Sequence, residues 1–232
     1  MVISDKVLIA AFTVIAIIMS STVHEWSHAM VATKLGDDTP RKQGRLTLDP
    51  LRHIELFGTV LLPLIGSLLG GWLIGWARPV QFQPRKFRKD VDVRRGITMV
   101  AAAGPLSNVA VLIFCALLMK GMTLVLPLQT IQNTPLWMGI GSFLAFMIYI
   151  NTILAVFNLM PIPPLDGFHI LSNVLHPNSR VVEFMRNYQL LFFFLAIFVI
   201  FRFVVGPAFA LVLMFLRLID AAHLFYLFFP LR

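Results

Sequence analysis

The sequence predicts an all-α polytopic membrane protein, with about five transmembrane helices, a re-entrant hairpin and a small β element. Composition is the first ground. Of 232 residues, 58% are hydrophobic and only 13% charged, with a mean hydropathy of +0.84, whereas soluble domains carry about a quarter charged residues. Segmentation is the second. Apolar stretches fall at 7–33, 57–76, 97–119, 136–160, 188–205 and 207–229, and about 20 apolar residues suffice to span a bilayer. Charge placement is the third. The basic residues behind the net charge of +8 sit mostly in short loops, where they orient a membrane chain. That distribution is not the footprint of a nucleic-acid binder. The chain reads as one integral-membrane unit over 1–232, with a core at 7–175 and C-terminal helices at 188–229.

The first stretch, 7–33, is expected to be a retained helix. Only Lys6 precedes it as a basic residue, and cleavage behind it would discard its polar motif. The next stretch, 57–76, differs. It contains Gly58, Pro63, Gly66, Gly70, Gly71 and Gly75, which are poor helix-interior residues. Basic loops flank it, with Arg41, Lys42 and Arg45 before and Arg85, Lys86, Arg88 and Lys89 after. Both loops belong in the cytoplasm by their charge, so 57–76 is expected to dip in and return. Such backbone is tolerated where protein or a water-filled cavity surrounds it. Within the first loop, Gly44-Arg45-Leu46-Thr47-Leu48 alternates polar and apolar residues, as a strand does. This is the expected β element. The loop 120–135 holds a single basic residue, Lys120, which suits the outer face. The N-terminus is then outside and the C-terminus cytoplasmic. The lone Cys115 lies in an apolar stretch and is read as packing.

The first span ends in Val23-His24-Glu25-Trp26-Ser27-His28, an H-E-x-x-H motif. Residues four apart on a helix share a face, so both imidazoles can reach one Zn²⁺ with Glu25 beside them as a base. Ionisable groups inside a membrane span are costly and point to function. The bland alternative is a polar cluster that only packs against another helix. At 1.5 Å per residue, His24 lies about 14 Å from the inner end of the span. Water must therefore reach it along a protein-lined path.

Catalytic zinc usually takes three protein ligands and keeps one position open. Asp166 is the candidate third. It lies in Asn158-Leu159-Met160-Pro161-Ile162-Pro163-Pro164-Leu165-Asp166-Gly167, where clustered prolines cannot continue a helix. An unwound segment beside a membrane helix can aim a carboxylate inward. A plain Asp-Gly turn is the alternative, but the missing ligand and the shared membrane face favour coordination.

Three motifs in order are the H-E-x-x-H, the turn Ala102-Ala103-Gly104-Pro105-Leu106-Ser107-Asn108, and N-x-x-P-x-P-x-x-D-G from Asn158 to Gly167. As a set they resemble the site-2 protease family of intramembrane zinc metalloproteases. The similarity covers most of 13–174, and it is to the small prokaryotic branch without a PDZ or CBS domain. The resemblance implies one Zn²⁺ per chain held by His24, His28 and Asp166, with Glu25 as catalytic base. It implies that Asn158 sits near the scissile carbonyl, and that Gly104, Ser107 and Asn108 form a turn that lets helices approach closely. It implies a multi-pass peptidase of a prokaryotic plasma membrane that cleaves transmembrane helices of other membrane proteins.

His53 lies in Leu48-Asp49-Pro50-Leu51-Arg52-His53-Ile54-Glu55, which resembles that branch's insertion. Substrate contact, transient metal ligation and a loop hydrogen bond are open to it, the last being favoured for a loop histidine. Leu46 and Leu48, on the expected strand, are candidate contacts for an unwound substrate. His169 and His176 are expected to be solvated or capping. Arg217 and Asp220, at i and i+3, are expected to pair on one helical face. A metal- or proton-coupled transporter would also bury His and Asp near the bilayer middle, though no inverted repeat is visible. An inactive scaffold of protease descent is the third reading. Glu25 discriminates, because removing it stops only proteolysis.

Overall fold

The computed structural model describes residues 3–69, 75–176, 179–197 and 201–229. Helix α1 (Ile3–Lys34) carries the first span and ends on Lys34, a cation against the helix C-terminus. Several of its hydroxyls are satisfied within the helix. Thr22, Ser27 and Thr33 each donate to the carbonyl four residues earlier at 2.7 Å, so they add little cost in an apolar setting. A short α2 (Thr39–Lys42) follows, and beyond the hairpin helix α3 (Leu62–Leu69) comes α4 (Val93–Val125). Asp92 caps α4 by accepting from the Arg95 N–H at 2.9 Å. After α5 (Leu128–Asn133), the third long helix α6 (Pro135–Leu159) starts on a proline, whose missing N–H costs nothing there. It stops before Pro161. The chain continues through α7 (Asp166–Leu175), α8 (Arg180–Asn187), α9 (Gln189–Leu195), α10 (Phe201–Leu218) and α11 (Ala222–Phe228).

The long helices α1, α4 and α6 pack on one another, and α7 packs on α4. Small residues allow this. Ala16, Ala116 and Ala145 are completely buried in the main core beside Met119, Ile148 and Phe225. Cys115 is buried there as a packing residue.

Among the described residues, three helices are long and apolar enough to cross a membrane, Val7–Lys34, Val93–Val125 and Pro135–Leu159. A fourth arises if Phe203–Leu218 and Ala222–Phe228, bent by 117°, form one broken span. The expected count of about five is therefore not reached among the described residues, and the stretch 188–205 includes 198–200, which lie outside them. The break expected between 205 and 207 is absent. Helix α10 runs through Pro207, since a membrane helix can re-satisfy the carbonyl a proline frees. The chain turns instead at Asp220, where φ is +53°. That turn undoes the expected Arg217–Asp220 pair, because i, i+3 proximity holds only while the helix continues. Asp220 meets Lys120 of α4 at 2.9 Å instead, and this hydrogen bond holds its carboxyl below the usual range.

No strand forms among the described residues, so the β element expected at 44–48 is corrected. Its backbone is taken up locally. The Arg45 N–H donates to Pro40 O at 2.9 Å, the Arg45 guanidinium bonds to Arg52 O, and Thr47 O accepts from the His53 ring.

The segment 57–76 leaves and returns at one place. A π-helical turn at Leu56–Leu61 leads into α3. After 70–74, which lie outside the described residues and include Gly70 and Gly71, Trp76 comes back beside the start. Its N–H donates to Gly58 O at 3.1 Å, and its carbonyl accepts from Thr59 Oγ1 at 2.7 Å. Both ends then share one membrane face if the segment enters the bilayer. Single cysteines at Gln43 and Gln83, in a Cys115-free background, are therefore expected to react with an impermeant thiol reagent from the cytoplasmic side alone. Labelling from opposite sides would show a full crossing.

Candidate metal centre

Two imidazoles and one carboxylate converge between α1, α4 and α7. His24 Nε2 lies 3.2 Å and His28 Nε2 3.3 Å from Asp166 Oδ2, and the two Nε2 atoms are 3.0 Å apart. One ligand atom from each of the three residues falls within 4.8 Å of the others. The far side of each ring explains what faces the centre. His24 Nδ1 is 2.7 Å from Asn108 Oδ1, and His28 Nδ1 is 2.7 Å from Val100 O. Both partners are oxygens that only accept, so both Nδ1 atoms donate, and in the neutral rings both Nε2 atoms present lone pairs. Asp166 Oδ2 is buried and has no hydrogen-bond donor. Three acceptors facing one point repel unless a cation sits among them, and two imidazoles with a carboxylate form a donor set suited to Zn²⁺.

Local sequence builds this geometry. The i, i+4 spacing puts both rings on one side of α1. The proline run ends α6 and turns the chain back, so that α7 begins on Asp166. Gly167 allows that return, because a Cβ there would collide with the backbone of Leu159 and Met160 at the end of α6. Gly104 of α4 is in contact with the centre itself. A Cβ would fall on His28 Nε2 and on the His24 ring, so its role goes beyond helix packing. Gly104→Ala is expected to weaken zinc retention roughly 10-fold or more with helix content unchanged. Elemental analysis beside circular dichroism checks this, and wild-type zinc content would show that α4 can retreat from α1.

Glu25 is buried on the wall of a cavity of about 570 Å³ that also exposes His24, His28, Asn158 and Asp166. Its Oε2 accepts from the Val80 N–H at 2.8 Å. Val80 belongs to a strap at 75–83 that has neither helix nor strand assignment. The Trp76 N–H donates to Gly58 O and the Arg78 N–H to His53 O. Engagement of every second amide is the habit of an extended chain. Asp37, completely buried, anchors the far end by accepting from the Gln83 N–H at 2.5 Å. Burial and the neighbouring Arg78 push the Arg45 guanidinium pKa down, and Glu25 opposes them.

The remaining candidates divide. Asn158 lines the cavity, with its Nδ2 donating to Leu154 O at 3.0 Å. His53 is buried away from the cavity wall and donates through Nε2 to Thr47 O at 2.8 Å, which is the loop hydrogen bond. Leu46 and Leu48 are also off that wall. His176 caps α7. His169, expected to be solvated or capping, is exposed and also borders the cavity one turn beyond Asp166, where partial desolvation pushes its pKa down. The strap, Asn108 as a partner of His24, and Asn151 behind it escaped the sequence reading. A buried amide in an apolar helix was the available signal for Asn151.

The model of peptidase family M50 matches residues 12–201. The chain belongs to peptidase family M50. Among M50-like relatives, a Bacillus subtilis (strain 168) protein named "Putative zinc metalloprotease YwhC" is 39% identical over 174 residues, covering 73% of this chain and 71% of its own. "Putative zinc metalloprotease Rip2" of Mycobacterium tuberculosis (strain ATCC 25618 / H37Rv) is 32% identical over 75% of this chain and 62% of its own. The protein of the same name from Mycolicibacterium smegmatis (strain ATCC 700084 / mc(2)155) is 30% identical over 70% and 57%. This chain thus spans about three fifths of the Rip2 relatives. No solved structure matches. The M50 match, the apolar helices and the converging His-His-Asp group together describe a multi-pass membrane metalloprotease, with zinc as the metal.

Proposed function

We propose that this M50 peptidase is an intramembrane zinc endopeptidase that cuts transmembrane helices of other membrane proteins. The observation that carries the reading is the meeting of His24, His28 and Asp166 inside a bundle of membrane-length helices, on one cavity with Glu25. His24, His28 and Asp166 are the ligands. Bound zinc supplies a Lewis acid that acidifies water and polarises a peptide carbonyl.

The side chains do the rest. The Val80 N–H holds one oxygen of Glu25, which leaves Oε1 to take the proton from the attacking water and return it to the leaving amine. Asn158 keeps one amide hydrogen on Leu154 O and offers the other to the developing oxyanion. The substrate must unwind, since a helical peptide bond is shielded by its own hydrogen bonds. With no strand at 44–48, the strap is the better edge. Trp76, Ala77, Pro79 and Val80 border the cavity, and the backbone groups of Ala77 and Gln81 alternate with those already engaged. An unwound substrate would pair there. The N-terminus lies outside, because both basic loops that follow α1 belong in the cytoplasm.

The test is a comparison of membrane proteomes from cells carrying wild type or Glu25→Gln. A transmembrane protein that stays uncut only beside the variant is the expected result, and it names the substrate. Identical proteomes together with altered metal flux would favour a transporter.

A further inference from the structure

Asn151 lies in the middle of α6, completely buried, and does not line the cavity. Its amide has every partner defined. Nδ2 donates to Met147 O at 2.8 Å and to Ser20 Oγ at 2.8 Å, and Oδ1 accepts from Asn108 Nδ2 at 2.8 Å. Met147 O is a backbone carbonyl and can only accept, so the arm of Asn151 that faces it must be nitrogen. The oxygen arm therefore faces Asn108. Asn108 must answer with its nitrogen, which also lies 3.4 Å from Ser20 O, and so turns its own oxygen to His24 Nδ1.

That oxygen cannot donate. The proton sits on His24 Nδ1, and the Nε2 lone pair is left for the metal. A reversed Asn108 would favour the opposite tautomer, with an N–H where a ligand lone pair is required. His28 needs no such relay, because Val100 O has a fixed polarity of its own.

We propose that Asn151 is a positioning residue for the metal centre: it sets the direction of the Asn108 amide and thereby holds His24 in its ligating tautomer. The proposal rests on His24 being a zinc ligand. It goes beyond helix–helix adhesion, which any buried amide could provide.

The experiment measures zinc affinity of the full-length protein in detergent, by competition with a chromophoric chelator. Asn151→Leu is expected to weaken zinc roughly 10-fold. Asn151→Asp should stay within a few-fold of wild type, because in either protonation state an oxygen still accepts from Asn108. In an Asn108→Ala background, Asn151→Leu should add no further loss, since the relay is already cut. Wild-type affinity in Asn151→Leu, or an equal further loss in the Asn108→Ala background, would overturn the proposal. Nitrogen-15 NMR of the metal-free wild type needs no variant to fold. A proton on His24 Nδ1 is expected whether or not Nε2 also carries one, and an unprotonated Nδ1 overturns the relay. His24→Ala separates the two levels of argument. If it keeps wild-type zinc affinity, the ligand reading falls and the relay with it. If it loses zinc while Asn151→Leu does not, only the relay falls.

Discussion

Glu25→Gln is expected to retain zinc and fold while cleavage of a helix-destabilised membrane substrate falls at least roughly 100-fold. The two histidines and Asp166 already supply three ligands, so the glutamate is not needed to hold the metal. Glutamine keeps the size of Glu25 and an acceptor for the Val80 N–H, which now binds Oε2 at 2.8 Å. It cannot take a proton. The local hydrogen bond therefore survives and the chemistry does not. Substrate should still enter, so a trapped complex is expected on crosslinking. Single-turnover assays beside zinc analysis provide the check. A variant that cuts within a few-fold of wild type would remove Glu25 from the mechanism.

Asp166→Ala is expected to abolish stable zinc binding, from about one ion per chain to near none after dialysis. Two neutral imidazoles remain, without the anion that offsets the metal's charge. The carboxylate also faces both Nε2 atoms, at 3.2 and 3.3 Å, so no other acid of the described site replaces it. Asp166→Asn is the control for packing. It keeps the shape of the side chain at the start of α7 and removes the charge, and it should lose most of the zinc too. Elemental analysis of purified protein decides. Wild-type zinc in Asp166→Ala would take Asp166 out of the centre and leave the turn reading of Asp-Gly.

The candidate site was legible where chemistry is written into local spacing. His24 and His28 four residues apart determine a shared helical face, and a proline run determines that α6 must stop before Asp166. Glycines and prolines at 57–76 likewise announced a segment that is not one plain helix. The β element at 44–48 misled, because alternation describes a strand only if a partner strand exists, and here the turns at Arg45 and His53 claim the backbone. The C-terminal break was misplaced for a related reason. Proline weakens a helix, but packing against α6 decides whether it ends there, and α10 passes through Pro207.

By itself, the sequence determined that the chain lives in a bilayer, that one helix carries a zinc-type motif, and that an unwound acidic turn follows the third long helix. These depend on composition and on neighbours within a few residues. Only the tertiary structure decided that Asp166 meets the two histidines, that Gly104 must lack a side chain, that the strap holds Glu25, and that His53 turns away from the cavity. It also decided the hydrogen-bond direction from Asn151 through Asn108 to His24. Such contacts join residues 43 and 84 positions apart, and their polarity depends on which carbonyl lies opposite. Helical periodicity assigns a face to a residue but cannot say what the neighbouring helix presents to it.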